Sequence, residues 1–200
     1  MEKEGSTDKM TETKNIMIVG VGGQGTLLTS RILGGITIAA GYDVKLSEVH
    51  GMAQRGGSVV TYVRYGEKVY EPIVEEGQAD VLIAFERLEA LRYAHFLKKD
   101  GVLIVNDQRI DPMTVVTGAC EYPENILQNL SEKYKVVAVD AMGEALKLGN
   151  SRVFNTIILG VAAKNMDFAK EDWINVIRNT VPPKTVDINL KAFEAGYQIA

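Results

Sequence analysis

The sequence is poor in the residues that build metal and redox centres. It has one cysteine, Cys120, and two histidines, His50 and His95. A single cysteine closes no internal disulfide and ligates no iron–sulfur cluster alone, and there is no CxxC pair. The histidines are not spaced at i, i+4, so they present no zinc-binding face on a helix. If the chain takes part in redox chemistry, the redox centre is elsewhere. No apolar run reaches the roughly 18 residues that span a bilayer. The opening "MEKEGSTDKMTETK" is polar and charged, with no apolar stretch of the kind a signal peptide needs. Positive charge is not in excess either. Lys and Arg number 22 against 26 Asp and Glu, a net charge of -4, which gives nucleic acid or an acidic membrane surface no electrostatic footing. The expectation is a cytoplasmic protein with a disordered leader over residues 1–14 and a single domain over 15–200.

What is present is an α/β pattern. "IMIV", "VLIAF" and "VLIVN" are short continuous apolar runs, as strands buried on both faces are. "KVVAVDA" reads as another such strand. After a glycine cluster, Leu28, Ile32, Ile36 and Ala39–Ala40 recur at helical spacing, and Gly41 is a natural stop. Gly34 and Gly35 inside that helix each cost about 1 kcal/mol against alanine, which close packing would offset. "DVKLSEV" reads as a second strand, completing a βαβ unit. "SVVTYVRYG" and "EKVYEPIV" read as a hairpin across Gly66. "ERLEALRYAHFLKKDG" reads as one amphipathic helix ending in Lys98 and Lys99. The last quarter turns helical, with Phe154, Ile157, Ile158, Val161 and Ala162 on one stripe and Trp173 and Ile177 on another. Val186, Leu190, Phe193 and Tyr197 follow after Pro182–Pro183. The expected fold is a Rossmann-like, three-layer α/β domain with a mostly parallel sheet, a hairpin insertion and a helical C-terminal segment.

Gly20, Gly22 and Gly25 fit G-x-G-x-x-G between a buried strand and a helix, with Gly23 and Gln24 inside the turn. Glycine permits positive φ and lets backbone N–H groups approach a phosphate, at which the next helix points its own unsatisfied N–H groups. The acidic residue expected about 20 residues on is matched by Glu48. The turn reads either as a phosphate or nucleotide site or as glycines that merely pack helix on strand.

The following loop, "SEVHGMAQRGGSV", is richer. It gathers Glu48, His50, Gln54 and Arg55 among Gly51, Gly56 and Gly57, and ends on Ser58. Arg55 beside two glycines presents a fork suited to phosphate or carboxylate. A solvated surface loop is the alternative. Glu86 reads as a crevice residue or a helix cap, Asn106 as a crevice residue or a turn residue and Asn155 as a hydrogen-bonding partner of a neighbouring loop. His95 reads as packed within its helix, Cys120 as inert and Trp173 as a core or subunit contact.

Taken together, "GVGGQGTLLTSRILG", "SEVHGMAQRGGSVVTYVRYGEKVYEPIV", "ADVLIAFERLEALRY" and "FNTIILG" resemble the gamma-type subunits of 2-oxoacid:ferredoxin oxidoreductases. The resemblance runs from about Asn15 to Ala200. The "EVHGMAQRGGSV" loop places it with the indolepyruvate type rather than the pyruvate or 2-oxoglutarate types.

The resemblance implies a subunit of an enzyme that oxidatively decarboxylates aryl pyruvates, forms an acyl-coenzyme A and passes electrons to ferredoxin. It implies thiamine diphosphate, magnesium and 4Fe-4S clusters on a larger partner subunit, and coenzyme A as a possible ligand of this chain. The cofactor-contacting set would be Gly20, Gly22, Gly23, Gln24, Gly25, Glu48, His50, Gln54, Arg55, Gly56, Gly57 and Ser58, with no catalytic or metal-binding residue of its own. Docking on the large subunit is an equal use for the same loops. Two other readings stand beside it: a nucleotide-binding regulatory or scaffolding module, and a free-standing NAD-dependent oxidoreductase. The last lacks a Tyr-x-x-x-Lys or comparable proton-transfer pair.

Overall fold

In the computed structural model the described residues are 12–50 and 56–199. The leader before residue 12, and Gln54 and Arg55, lie outside them. The chain runs β1 (Lys14–Val21), α1 (Thr26–Ala39), β2 (Asp43–His50), β3 (Ser58–Gly66), β4 (Ala79–Ala84), α2 (Arg87–Tyr93) and β5 (Leu97–Asn106). There follow α3 (Met113–Val116), α4 (Ile126–Ser131), β6 (Lys135–Val139), α5 (Ala141–Lys147), α6 (Phe154–Ala163), α7 (Lys170–Thr180) and α8 (Val186–Ile199). No described helix is long and apolar enough to cross a membrane.

The six strands form one sheet in the order β2-β3-β1-β4-β5-β6. β1, β4, β5 and β6 are parallel, and β3 runs antiparallel between β1 and β2. The apolar runs are continuous because both faces are covered. Along β1, Ile16 and Ile18 join the core beneath α1, α6, α7 and α8, while Met17 and Val19 join the core beneath α2 and α4. α1 follows β1 onto one face and α2 follows β4 onto the other, so the connections leaving the C-terminal ends of these paired strands diverge. An open α/β sheet leaves its ligand crevice at such a switch point.

Several sequence expectations shift. The hairpin is β2–β3, with His50 opposite Val59, and not a turn at Gly66, after which residues 67–78 form no strand. β2 is therefore parallel to β1 but separated from it by β3, so the βαβ unit is split. β1 begins at Lys14, one residue into the expected leader. The helix after β4 stops at Tyr93, tightens into a 3₁₀ turn over Ala94–Phe96 and re-enters the sheet at Leu97. Leu97 is buried, and Lys98 belongs to a strand, where it donates to Asp80 Oδ1 at 2.9 Å. His95 is consequently exposed, 3.6 Å from Glu76, rather than packed. β6 is a half-exposed edge strand, not a central one.

The glycines inside helices mark close approaches. A Cβ at Gly34 would meet Leu46 of β2 at 2.8 Å, and one at Gly35 would meet Val176 of α7 at 2.8 Å. Tighter still is the crossing of α6 with α8. A Cβ at Gly196 would lie inside van der Waals contact of the Ile157 carbonyl, and one at Gly160 would strike the Phe193 carbonyl. Backbone is the obstacle on both sides, so rotamer changes give no relief. Gly196→Ala is expected to destabilise the fold by roughly 1–3 kcal/mol or more, read as a lowered urea midpoint.

Candidate functional site

β1 delivers the chain to Val21 at the C-terminal edge of the sheet, and α1 must start five residues later. Gly23 and Gly25 make the reversal with φ of 98° and 88°. At Gly25 a side chain is excluded twice, since its Cβ would also lie 2.5 Å from Asn155 Nδ2 of α6. Gly20, still within the strand, has Gln24 Oε1 at 2.9 Å and Phe85 Cβ at 3.0 Å from where a Cβ would be. The Gly22 N–H donates to the Gly57 carbonyl at 2.9 Å, continuing the β1–β3 ladder into the turn.

Gln24 folds back under the turn. Its Oε1 accepts from the Val21 N–H at 2.7 Å, and its Nε2 donates to the Phe85 carbonyl at 3.0 Å and Gln108 Oε1 at 3.3 Å. The amide is thereby occupied inside the protein and braces β1 against the end of β4. Asn106 continues this network, donating to Phe85 and Gln108 and accepting from the Ala141 N–H. Asn155 packs against the turn at Gly25, but its side-chain hydrogen bonds run to Thr156 of its own helix and not, as the sequence suggests, to a neighbouring loop.

On its outer side the turn opens into a groove of about 450 Å³ lined by Gly22, Gly23, Gly25, Thr26, Leu27, Glu48, His50 and Val59. α1 enters it with no acidic residue in its first turn and no side-chain cap. The Thr26 and Leu27 N–H groups have no intrahelical acceptor, so helix dipole and turn amides favour an anion here. Glu48 faces the groove, accepting from Thr61 Oγ1 at 3.3 Å, with His50 Nδ1 3.9 Å away. The structure thus brings Gly22, Gly23, Gly25, Glu48 and His50 together.

Ser58 and Gly56 belong elsewhere. Gly56 lines a separate hollow of about 200 Å³ on the other side of the turn, with Val21, Glu86, Glu89 and Arg92. Ser58 Oγ donates to Glu89 Oε2 at 2.5 Å and lies 3.3 Å from the Tyr93 hydroxyl. Glu86, almost fully buried, caps α2 by accepting from the Glu89 N–H, and also accepts from Ile110 N and the Tyr122 hydroxyl. Glu89 was not singled out by the sequence, since an acid in the first turn of a helix is what the helix dipole favours. Burial pushes the Glu89 carboxyl above its ordinary range, opposed by the Ser58 hydrogen bond and by Arg92, whose Nη1 is 2.8 Å away.

Cys120 is exposed. Among the described residues no group of three or more His, Cys, Asp or Glu is placed to hold a metal. With one cysteine in the chain, the residues present do not fit an iron–sulfur cluster.

Two outcomes follow from the buried polar groups. Gln24→Ala leaves the buried Val21 N–H without its acceptor and should lower stability by about 1–3 kcal/mol in denaturant unfolding. Glu89 has a folded-state pKa above its unfolded one, so its contribution favours folding at low pH and is lost as pH rises through the folded value. Glu89→Gln should therefore flatten the fall in urea midpoint as pH rises above the ordinary glutamate range.

Residues 15–199 match the family described as pyruvate ferredoxin/flavodoxin oxidoreductase. The chain is 44% identical over 192 residues to indolepyruvate oxidoreductase subunit IorB of Thermococcus kodakarensis, covering 93% of this chain and 95% of that one. It is 30% identical over 196 residues to 2-oxoglutarate synthase subunit KorC of Methanothermobacter marburgensis, covering 93% and 96%. In structure it is similar to the gamma subunit of a keto/oxoacid ferredoxin oxidoreductase from Geobacter sulfurreducens. The TM-score is 0.70 at 25% identity, over 94% of this chain and 98% of that one. Over nearly its whole described length, then, the chain belongs to the pyruvate ferredoxin/flavodoxin oxidoreductase family.

Proposed function

We propose that this chain is the small subunit of an indolepyruvate-type 2-oxoacid:ferredoxin oxidoreductase, acting on aryl pyruvates only when docked on a larger subunit. The observation that carries this reading is the 44% identity to an indolepyruvate oxidoreductase subunit across 93% of the chain, against 30% for a 2-oxoglutarate one. Thiamine diphosphate and iron–sulfur clusters, held by the large subunit, supply the carbanion and the electron path to ferredoxin. This chain's own part is to bind and orient. The Gly22–Gly25 turn and the start of α1 hold an anionic group of coenzyme A. Glu48 and His50 line the same groove, and Arg55 is assigned to it from the sequence. The exposed Leu27 and Val49 give the rim apolar surface suited to the large subunit, which supports docking as a second use of this edge. The nicotinamide alternative has the glycine spacing and Glu48 behind it, but no Tyr-x-x-x-Lys or comparable proton-transfer pair.

Gly23 supplies a clean test, because it has open space around it and Asn and Asp tolerate positive φ best among other residues. In enzyme assembled with the large subunit, Gly23→Asp should raise the KM for coenzyme A roughly tenfold. Gly23→Asn, without the charge, should change it much less. Equal KM values in both variants and the wild type would remove coenzyme A from this groove. Failure of the tagged chain to capture an iron–sulfur subunit with indolepyruvate-dependent activity, under anaerobic conditions, would overturn the subunit reading itself.

A further inference from the structure

The hollow on the inner side of the turn contains a buried acid to which the proposed function gives no task. Glu89 projects from α2, is 3% exposed, and faces charged and titratable groups on several elements. Arg92 and Tyr93 come from its own helix, and Glu86 from the cap. Asp111 lines the same hollow from the segment after β5. Its contact of consequence is with β3. Ser58 Oγ donates to Glu89 Oε2 at 2.5 Å, a length in the range of charge-assisted O–H···O bonds. Ser58 is the first residue of β3 and sits opposite Val21, the last residue of β1. The residue before it, Gly57, offers the carbonyl that the Gly22 N–H engages at 2.9 Å. Three links therefore connect a carboxylate on one side of the turn to the glycines on the other: Glu89 to Ser58, Ser58 to Gly57 along the chain, and Gly57 to Gly22.

This connection is not needed to close either core. Ser58 is half-buried at a strand end, and the cap of α2 is completed by Glu86 without Glu89's carboxylate. Glu89 instead engages the first side chain of β3, one residue from the carbonyl that accepts from the Gly22 N–H.

We propose that Glu89 is a positioning residue for the glycine turn, acting through Ser58 and the Gly57 carbonyl to set the orientation of the Gly22 peptide beside the ligand groove. The inference deepens the reading of that groove as an anion site and rests on it for its functional meaning. The structural linkage itself is independent of which ligand binds. Ionisation of Glu89 changes the charge on the Ser58 acceptor, so the turn should sense it.

The test is an amide NMR titration of the isotopically labelled chain from about pH 4.5 to about pH 8, in the wild type, Glu89→Gln and Ser58→Ala. In the wild type the Gly22 and Ser58 amide resonances should move together with the ionisation of Glu89. In Glu89→Gln that movement should vanish. In Ser58→Ala the Glu89 carboxyl should still titrate while Gly22 no longer follows. A Gly22 resonance that ignores pH, or follows it equally in all three proteins, would overturn the proposal. The KM for coenzyme A in enzyme assembled from the large subunit and each of the three chains supplies the functional arm, raised roughly three- to tenfold in both variants. Coupled resonances with equal KM values in all three would leave the positioning role standing and remove its meaning for the ligand. Uncoupled resonances would overturn the positioning role whatever the KM values.

Discussion

The site depends on one buried amide. A chain leaving β1 must reverse into α1 at the edge of the sheet, where backbone donors run out of strand partners. Gln24 supplies an acceptor for the Val21 N–H and a donor to the Phe85 carbonyl, so the end of β1 and the end of β4 are joined by one side chain. The ladder between β1 and β4 ends with the Phe85 N–H donating to the Val19 carbonyl at 2.9 Å, and the Gln24 amide extends that tie beyond the last ladder bond. With it, Gly23 and Gly25 can hold left-handed conformations, and α1 is aimed with its open N-terminus at the groove. The glycines give the turn its shape, while the glutamine keeps the shape in place.

Much of the fold could be read from the sequence because burial on both faces leaves an unambiguous mark. "IMIV", "VLIAF" and "VLIVN" have no polar alternation, and each is a central strand. The glycines within α1 were expected to sit at close contacts, and they do, against Leu46 and Val176. What failed was the assignment of boundaries and partners. The apolar period of α2 continues smoothly into Leu97, and a period alone does not reveal that Leu97 packs as a strand residue beside Ala79. The hairpin was misplaced because β3 has two strand neighbours and takes them from earlier in the chain. Nothing local to "SVVTYVRYG" says that β1 and β2, rather than the segment after Gly66, will pair with it.

The site was legible in outline and not in detail, for a related reason. The sequence groups Gly22, Gly23, Gly25, Glu48 and His50, and these line one groove, since a turn and the end of the second strand both fall at the sheet's C-terminal edge. Residue type does not say which side of that edge a side chain takes. Gln24 and Ser58 have the chemistry of ligand contacts, yet each is engaged by protein, one under the turn and the other against Glu89. Glu89 went unnoticed because an acid in the first turn of a helix is ordinary. Only the approach of β3 makes this one different.

The helix α6 has a consequence of another kind. All ten of its residues are buried. It lies between the sheet and α8, held to α8 through Gly160 and Gly196 and through the Thr156 hydroxyl, which donates to Asn189 Oδ1 at 2.7 Å. A helix with no polar side has nowhere to rest in water until its last neighbour is in place. During synthesis that neighbour, residues 186–199, emerges after everything else described here. The sheet can begin to assemble earlier, but its apolar surface beneath α6 stays open until then. The interval before α8 packs is therefore when the protein is most exposed to aggregation.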